Sequence, residues 1–228
     1  MARYLVLDLE TVAIPNAADF LPIGDIKPDG RLKDPAKIEA DIKQQQQDLI
    51  GKAALDMDLA RVCAVGFMEV GQDLTPVVKV SATDGQEAGD IASIGLHLDP
   101  FSRDFVTLVT FNGHKFDLPL LMRRAKYLGV PFPKINLDRY KSPHIDLYEE
   151  LTMRGAIKAH GLRWYMRRLG WTDLIDADPF KDGGSDVAQA CAEGSWDDIA
   201  AHCRVDVTAT LRLAQWLGLV PKEAESPF

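Results

Sequence analysis

The chain of 228 residues is long enough to bury a sizeable core, and its 46% hydrophobic and 26% charged residues are typical of a globular protein. We expect no membrane span, because no apolar run approaches roughly 20 residues, and no signal peptide, because the sequence enters a strand at once. The formal net charge of −8 argues against an avid, nonspecific nucleic-acid binder. Widely spaced cysteines (Cys63, Cys191 and Cys203) predict reduced thiols in a cytoplasmic protein, without a disulfide scaffold or structural zinc.

The first predicted element is a buried strand over residues 3–9, and it ends in two acidic side chains. Side chains two apart on a strand share a face, so Asp8 and Glu10 are neighbours. Two ionised carboxylates in a partly buried place repel each other and lose hydration unless a proton or a cation compensates. This spacing therefore indicates a divalent-cation site, or alternatively a frayed strand end with both acids in water.

The middle of the chain begins with a loop over residues 13–34, which is rich in proline and glycine. Pro35 and the spacing of the apolar residues after it predict a helix over residues 35–56. Three further strands follow, at 61–70, 75–82 and about 105–111. Because strands come early and helices late, the order predicts a single α/β or α+β domain on a mixed sheet.

Basic residues are concentrated in one segment. Residues 123–168 hold 11 Lys and Arg against four acids, a surplus of seven positive charges in an acidic chain. Within this segment "HIDLY" (144–148) predicts a short strand entering a helix, and apolar spacing in 162–169 predicts another helix. The charge indicates a polyanion-binding region or, alternatively, several solvated helix faces.

A third acid follows the strand at 105–111, in the stretch "TFNGHKFDLPLL". We expect Asp117 at the N-cap of a helix that Gly129 closes, pointing toward the strand ends. Capping alone is the alternative explanation of this residue, because aspartate is a preferred cap.

A fourth acid lies on the last predicted helix, which starts at the N-cap Ser195 and runs to about Trp216. Asp206 borders the buried face of this helix, and His202 is four residues before it on the same side. A surface ion pair is the alternative interpretation. The apolar stripe of the helix consists of Ile199, Cys203, Val207, Leu211 and Ala214.

Three motifs thus occur in order: "LDLET", "TFNGHKFDLPLL" and "HCRVDVTATLRL". Together they resemble the DEDD superfamily of 3′–5′ exonucleases, and "PHIDLYEEL" and "HGLRWYMRRLG" resemble the predicted exonucleases related to the proofreading domain of family B DNA polymerases. The resemblance implies a ribonuclease H-like α/β fold, a mixed sheet flanked by helices. We expect one domain over 1–228, with a loop-plus-helix insertion at about 13–60.

The resemblance also implies site residues. Two divalent cations, Mg²⁺ or Mn²⁺, would be bound by Asp8, Glu10, Asp117 and Asp206. The third motif has the spacing of the tyrosine branch with histidine at the tyrosine position, so His202 is the candidate general base. Substrate-binding residues would be Leu9 and Thr11 at the terminal nucleotide and Asn112 and Phe116 at the penultimate one.

The implied activity is hydrolysis of the terminal phosphodiester of single-stranded DNA, which releases nucleoside 5′-monophosphates in DNA repair or proofreading. The basic segment 123–168 would then carry the strand through phosphate contacts. Three alternatives remain: an exoribonuclease of the same superfamily, a catalytically weak nucleic-acid-binding protein, and an unrelated metal-dependent phosphohydrolase.

Overall fold

The computed structural model describes residues 4–71, 75–98, 107–138, 144–181 and 184–222. Its strands form one mixed sheet in the order β3-β2-β1-β4-β5. The strands are β1 (Tyr4–Ala13), β2 (Ala60–Val70), β3 (Pro76–Ala82), β4 (Thr107–Thr110) and β5 (Ile145–Asp146). Antiparallel pairs join β1 to β2 and β2 to β3, while β1–β4 and β4–β5 are parallel.

Helices flank this sheet, which confirms the predicted α/β class. They are α1 (Pro35–Lys52), α2 (Glu87–His97), α3 (Asp117–Leu128), α4 (Leu147–Leu151), α5 (Leu162–Arg168), α6 (Thr172–Ala177), α7 (Gly184–Glu193) and α8 (Trp196–Trp216). Among the described residues, none of these helices combines the length and the apolar character needed to cross a membrane.

The central strand β1 separates two cores. Leu5, Leu7 and Leu9 pack with α2 and α3 on one face, while Val6 packs with α8 and other late helices on the other face. Asp8 and Glu10 follow Val6 in the two-residue alternation, so they lie on the α8 side.

Close packing of β2 against α8 fixes where the late helix lies. Gly66 on β2 pairs with Asp8 on β1. A Cβ atom at Gly66 would lie only 2.7 Å from both Cys203 Sγ and Val207 Cγ2, so glycine lets the helix approach the sheet. The predicted apolar stripe of α8 is buried, including Ile199, which is fully inaccessible.

The predicted element boundaries differ from the structure in several places. β1 extends to Ala13 because it keeps pairing with β2 past a bulge between Glu10 and Thr11. The N-cap of α3 is Phe116, so Asp117 is the first helical residue, and its prediction as the cap is wrong. Helices α2, α6 and α7 were not predicted: α6 has only six residues, and the helical spacing of Ile91 with Ile94 in α2 and of Val187 with Ala190 in α7 was missed.

Candidate active site

The two acids of β1 lie where the parallel part of the sheet ends. β4 pairs with β1 only as far as Val6, so Asp8 and Glu10 extend beyond it. Glu10 is buried and Asp8 is partly exposed. A carboxylate oxygen of each, together with Cys203 Sγ, lies within a group of atoms no more than 4.8 Å apart. The two side chains therefore share a face, as their spacing predicted.

Helix α8 brings a histidine and a third acid to this place. His202 Nε2 lies 3.7 Å from Glu10 Oε1 and 3.9 Å from Asp206 Oδ2. Because His202 is only 5% exposed, the predicted alternative of a surface ion pair with Asp206 is wrong. The imidazole reaches the acids although it is shorter than a tyrosine side chain.

Asp178 is part of this cluster and was missed in the sequence. Its Oδ1 lies 2.9 Å from His202 Nδ1, and it also accepts hydrogen bonds from the backbone N–H of Phe180 and the guanidinium of Arg163. A carboxylate can only accept from Nδ1, so the proton is on that nitrogen and Nε2 faces Glu10 and Asp206. No periodic pattern marks Asp178, which lies between α6 and α7.

Asp117 reaches the acids of β1 from the start of α3. It is 5% exposed, and burial raises its pKa to about 7, although the backbone N–H groups of Asp117 and Leu9 oppose the rise. Its charge also contributes to raising the pKa of Asp8 and Glu10. All four acids expected from the sequence therefore lie close enough to interact.

The loop between β4 and α3 is held by Asp146. Its carboxylate accepts hydrogen bonds from the backbone N–H groups of Asn112 and His114, both at 2.9 Å. Asn112 has a left-handed backbone with φ 68°, a conformation that asparagine tolerates better than most residues. A Cβ atom at Gly113 would lie 2.2 Å from Thr110 Oγ1, so only glycine fits there. These constraints fix the start of α3, and with it Asp117.

The acids have raised pKa values, and burial is the largest cause for each. Burial and the charges of Glu10, Asp206 and Asp117 hold the pKa of Asp8 well above its ordinary value. The pKa of Glu10 rises to about 8 and that of Asp206 to about 6, even though His202 opposes both rises. Such a group of carboxylates requires protons or cations to compensate its charge.

The pKa values of His202 and Asp178 shift in the direction opposite to the one that burial alone would cause. Burial alone would lower the pKa of His202, but the hydrogen bond to Asp178 and the charges of Glu10 and Asp206 raise it to about 9. Burial alone would raise the pKa of Asp178, but the hydrogen bonds from His202 and Phe180 lower it. Asp178 therefore stays ionised and holds the imidazole in place.

The donor set fits a hard divalent cation. Carboxylate oxygens from two elements converge, and Glu10, His202 and Asp206 offer ligand atoms within 4.8 Å of one another. Cys203 Sγ is also near, but burial holds the pKa of this thiol well above its ordinary value, so it stays protonated and is a poor ligand. Asp8 and Asp206 remain partly exposed, so the cluster is open to substrate.

The residues expected to bind substrate lie in different environments. The side chain of Leu9 packs into the core on the far face of β1, and Thr11 Oγ1 donates a hydrogen bond to the carbonyl of Ala54. Asn112 lies on the loop held by Asp146, and Phe116 packs partly against the α3 core. The side chains of Leu9 and Thr11 are therefore engaged within the protein, and the backbone N–H of Leu9 donates a hydrogen bond to Asp117.

The basic segment is not one continuous cationic surface. Arg124 is buried and forms two hydrogen bonds to Glu87, and Arg123 pairs with Asp58. Two more of its basic residues, Arg139 and Lys141, lie outside the described residues. Arg123 and Arg124 are therefore engaged within the protein, and the path for a strand along 123–168 stays a prediction.

A family model matches most of the sequence. The family model described as a predicted 3′–5′ exonuclease related to the exonuclease domain of PolB matches residues 53–220. This segment includes Asp117, His202 and Asp206 and begins after β1, so Asp8 and Glu10 lie outside it. No curated protein matches the chain.

Two examples of similar solved structures are a DNA polymerase and an exonuclease. The family B DNA polymerase of the hyperthermophilic archaeon Pyrobaculum calidifontis matches with a TM-score of 0.55 and 18% identity, over 95% of this chain and 24% of the polymerase. The chain thus spans about a quarter of that protein. Exonuclease I of E. coli, in complex with a dT13 oligonucleotide, matches with a TM-score of 0.42 and 11% identity, over 95% of this chain and 41% of that one. The first similarity identifies the fold as that of a PolB exonuclease domain, which is ribonuclease H-like. Since the family model covers most of the sequence, the chain belongs to the family of predicted 3′–5′ exonucleases related to the exonuclease domain of PolB.

Proposed function

We propose that the chain is a 3′–5′ exonuclease that hydrolyses the terminal phosphodiester of single-stranded DNA and releases nucleoside 5′-monophosphates. The observation that carries this proposal is the convergence of Asp8, Glu10, Asp117 and Asp206, with His202 between two of them. Membership of the family supports the reaction class. A cytoplasmic location stays a prediction from the cysteine content.

The four acids would hold two divalent cations, Mg²⁺ or Mn²⁺, as the resemblance implies. Such ions, when bound, generate a nucleophilic hydroxide and stabilise the charge on the leaving oxygen. Asp8 is the best candidate to contact both, since Glu10, Asp206 and Asp117 all act on its charge. Asp117, on the opposite side of β1 from α8, would serve the second ion.

His202 would accept the proton of the attacking water at Nε2. Asp178 holds the proton on Nδ1, so the lone pair of the neutral ring is at Nε2 and faces the acids. The charges of Glu10 and Asp206 raise the pKa of His202. When cations balance those charges, the ring loses its extra proton more easily and its Nε2 can accept a proton.

A single-stranded 3′ end is the substrate that we favour, because the terminal phosphodiester must be separated from stacked neighbours to reach an acid cluster at the edge of a sheet. DNA is favoured over RNA by the relation of the family to PolB and by the polymerase with the similar fold. The acids themselves do not read the sugar, since that choice depends on contacts to the 2′ position.

The test is digestion of matched 5′-labelled DNA and RNA oligonucleotides with Mg²⁺ or Mn²⁺. We expect a metal-dependent ladder that shortens from the 3′ end, no ladder with Asp8→Ala, and an unchanged ladder with Asp197→Ala. Asp197 is a matched control because it is an exposed acid on α8, away from the cluster. A ladder on RNA alone would support the exoribonuclease alternative.

A catalytically weak nucleic-acid-binding protein is the second alternative, and the histidine in the third motif is the feature that favours it. His202→Tyr separates the two functions, because it restores the residue of the tyrosine branch. If the wild type is inactive with either metal and this variant is active, the chain is a binding protein that has lost its base. If both are inactive while the wild type still binds single strands, the exonuclease proposal is wrong.

A further inference from the structure

Two aromatic rings are stacked on the surface just before and within α5. The rings of His160 and Trp164 lie nearly parallel, at 15°, with their centroids 4.0 Å apart. Tyr165 meets Trp164 edge-on, with centroids 5.0 Å apart and an angle of 82°. Trp164 is nevertheless 42% exposed. A large aromatic ring held in one orientation at the surface offers a planar face to a ligand.

The exposed face of α5 also carries positive charge. Leu162 and Met166 are buried and attach this helix to the core. Trp164 and Arg168 are four residues apart, so they lie on the same face, and both are exposed. Arg167 next to them is exposed as well.

These charges are available to a ligand. Among the residues that the structure describes, no carboxylate lies within ion-pair distance of Lys158, Arg167 or Arg168. This distinguishes them from Arg123 and Arg124 of the same basic segment, which are paired with Asp58 and Glu87. In a chain of net charge −8, an unpaired cationic group beside an aromatic stack is complementary to a polyanion with planar rings.

The helix that carries the stack contacts the candidate active site. Arg163, the residue before Trp164, contacts Asp178, and Asp178 contacts His202 Nδ1. The other nitrogen of the same imidazole faces Glu10 and Asp206. Three successive side-chain contacts therefore connect Arg163, on the helix that carries the stack, to Glu10 and Asp206.

We propose that the His160–Trp164 stack is a base-stacking platform for the single strand upstream of its 3′ end, with Lys158, Arg167 and Arg168 contacting the phosphates. This inference rests on the proposed function and adds the place where the strand is held. Every base has a planar face, so stacking gives affinity without sequence preference, and basic residues beside the rings follow the backbone. Because the rings already stack on each other, little further ordering is required when a base is added.

The test compares a long and a short substrate. With 5′-labelled dT20, Trp164→Ala should raise KM about five- to 100-fold, the effect of losing one stacked base. With the dinucleotide pdTpdT, which has a single nucleotide upstream of the scissile phosphodiester, kcat and KM should not change. Trp164→Phe, which keeps a ring, should retain most of the affinity. Trp216→Ala is the matched control, since Trp216 is 53% exposed at the far end of α8.

Salt dependence tests the basic residues separately. Arg168→Ala should lower the slope of log affinity against log salt for dT20 by about 0.7, the value for one phosphate contact on a single strand. Equal KM values of Trp164→Ala and Trp216→Ala on dT20 would overturn the platform, even if both variants digest pdTpdT normally and the exonuclease stands. If the wild type digests neither substrate, the proposed function fails. In that case, fluorescence anisotropy of labelled dT20 tests the platform through binding alone. Equal Kd values for the wild type and Trp164→Ala would overturn the platform.

Discussion

Two kinds of buried carboxylate occur in this protein. Asp146 is 3% exposed and accepts hydrogen bonds from backbone N–H groups on both sides of it in space, at Asn112, His114 and Tyr148. Glu10 is also buried, at 7% exposure. Among the described residues, however, no group donates a hydrogen bond within 3.5 Å to the carboxylates of Glu10 or Asp8, and the nearest cation is His202 at 3.7 Å.

The difference separates a structural acid from a functional one. A buried carboxylate surrounded by donors is stabilised in its charged form and holds a loop together. A buried carboxylate surrounded by other carboxylates has a raised pKa and destabilises the fold until its charge is balanced. Burial alone therefore does not identify a site. The supply of hydrogen-bond donors separates Asp146 and Asp178 from Asp8, Glu10 and Asp206, whereas Asp117 accepts backbone hydrogen bonds and still has a raised pKa.

The largest expected effect comes from removing one charge among Asp8, Glu10 and Asp206, the carboxylates that lack hydrogen-bond donors. Asp8→Asn should lower the exonuclease rate about 10³-fold or more, because a ligand of the ions is lost. The same variant should melt at a higher temperature than the wild type in EDTA, since repulsion within the cluster is relieved. The increase in Tm that Mg²⁺ gives the wild type should disappear. Differential scanning calorimetry with and without metal measures both effects.

Asp197→Asn on the exposed side of α8 is the control for Asp8→Asn and should behave as the wild type. An Asp8→Asn variant that is less stable than the wild type in EDTA, and still stabilised by Mg²⁺, would place Asp8 with the structural acids.

The second effect is the pH dependence of the metal-free protein. The pKa of Glu10 is raised from 4.5 to about 8, so its contribution to stability is full below about pH 4.5 and is lost as pH rises through 8. The contribution of His202, whose pKa is raised from 6.5 to about 9, is full below 6.5 and lost through 9. The free energy of unfolding in EDTA should therefore fall from pH 5 to pH 9, by at most about 1.4 kcal/mol per pH unit for each linked proton.

Urea denaturation at a series of pH values measures this slope. Saturating Mg²⁺ should flatten or reverse it, because the ion binds the deprotonated acids. Stability that rises with pH in EDTA would show that the acids are satisfied within the protein.

The third effect concerns Asp146, the buried carboxylate that accepts several backbone hydrogen bonds. Asp146→Ala leaves several backbone N–H groups without an acceptor and should lower the free energy of unfolding by about 3 kcal/mol. The stabilisation by Mg²⁺ should persist, since Asp146 is not among the proposed ligands. Glu150→Ala, an exposed acid on α4, is the matched control. A stable Asp146→Ala variant that no longer responds to Mg²⁺ would assign Asp146 to the metal site.

The smallest effect tests whether Asp178 acts through His202. Asp178→Asn should lower the rate about 10- to 100-fold, the usual cost of losing a partner that orients a site residue. In the His202→Tyr background the same substitution should change the rate by less than about threefold, because the interaction is already absent. Equal losses in both backgrounds would make Asp178 a structural residue. Single-turnover rates of the two single variants and the double variant measure the coupling.

Much of the site was predictable from local sequence. The two-residue spacing of Asp8 and Glu10 placed both on one face of a strand, and the apolar stripe of α8 placed Asp206 at the border of its buried face. These are short-range patterns, because the period of a strand or helix determines which side chains are neighbours. The cap position of Asp117 was predicted wrongly, since the loop before α3 is fixed by Asp146, which lies 29 residues further along the chain.

The sequence by itself determined the secondary-structure periods, the α/β class and the order of the acidic motifs, because all of these are read from neighbouring residues. Only the tertiary structure decided which acids lack donors, that Arg123 and Arg124 are already paired, and that Asp178 holds His202. It also brought α5, the helix that carries the aromatic stack, into contact with Asp178 through Arg163. Hydrogen-bond donors, ion-pair partners and burial are supplied by residues distant in the chain, so no local pattern encodes them.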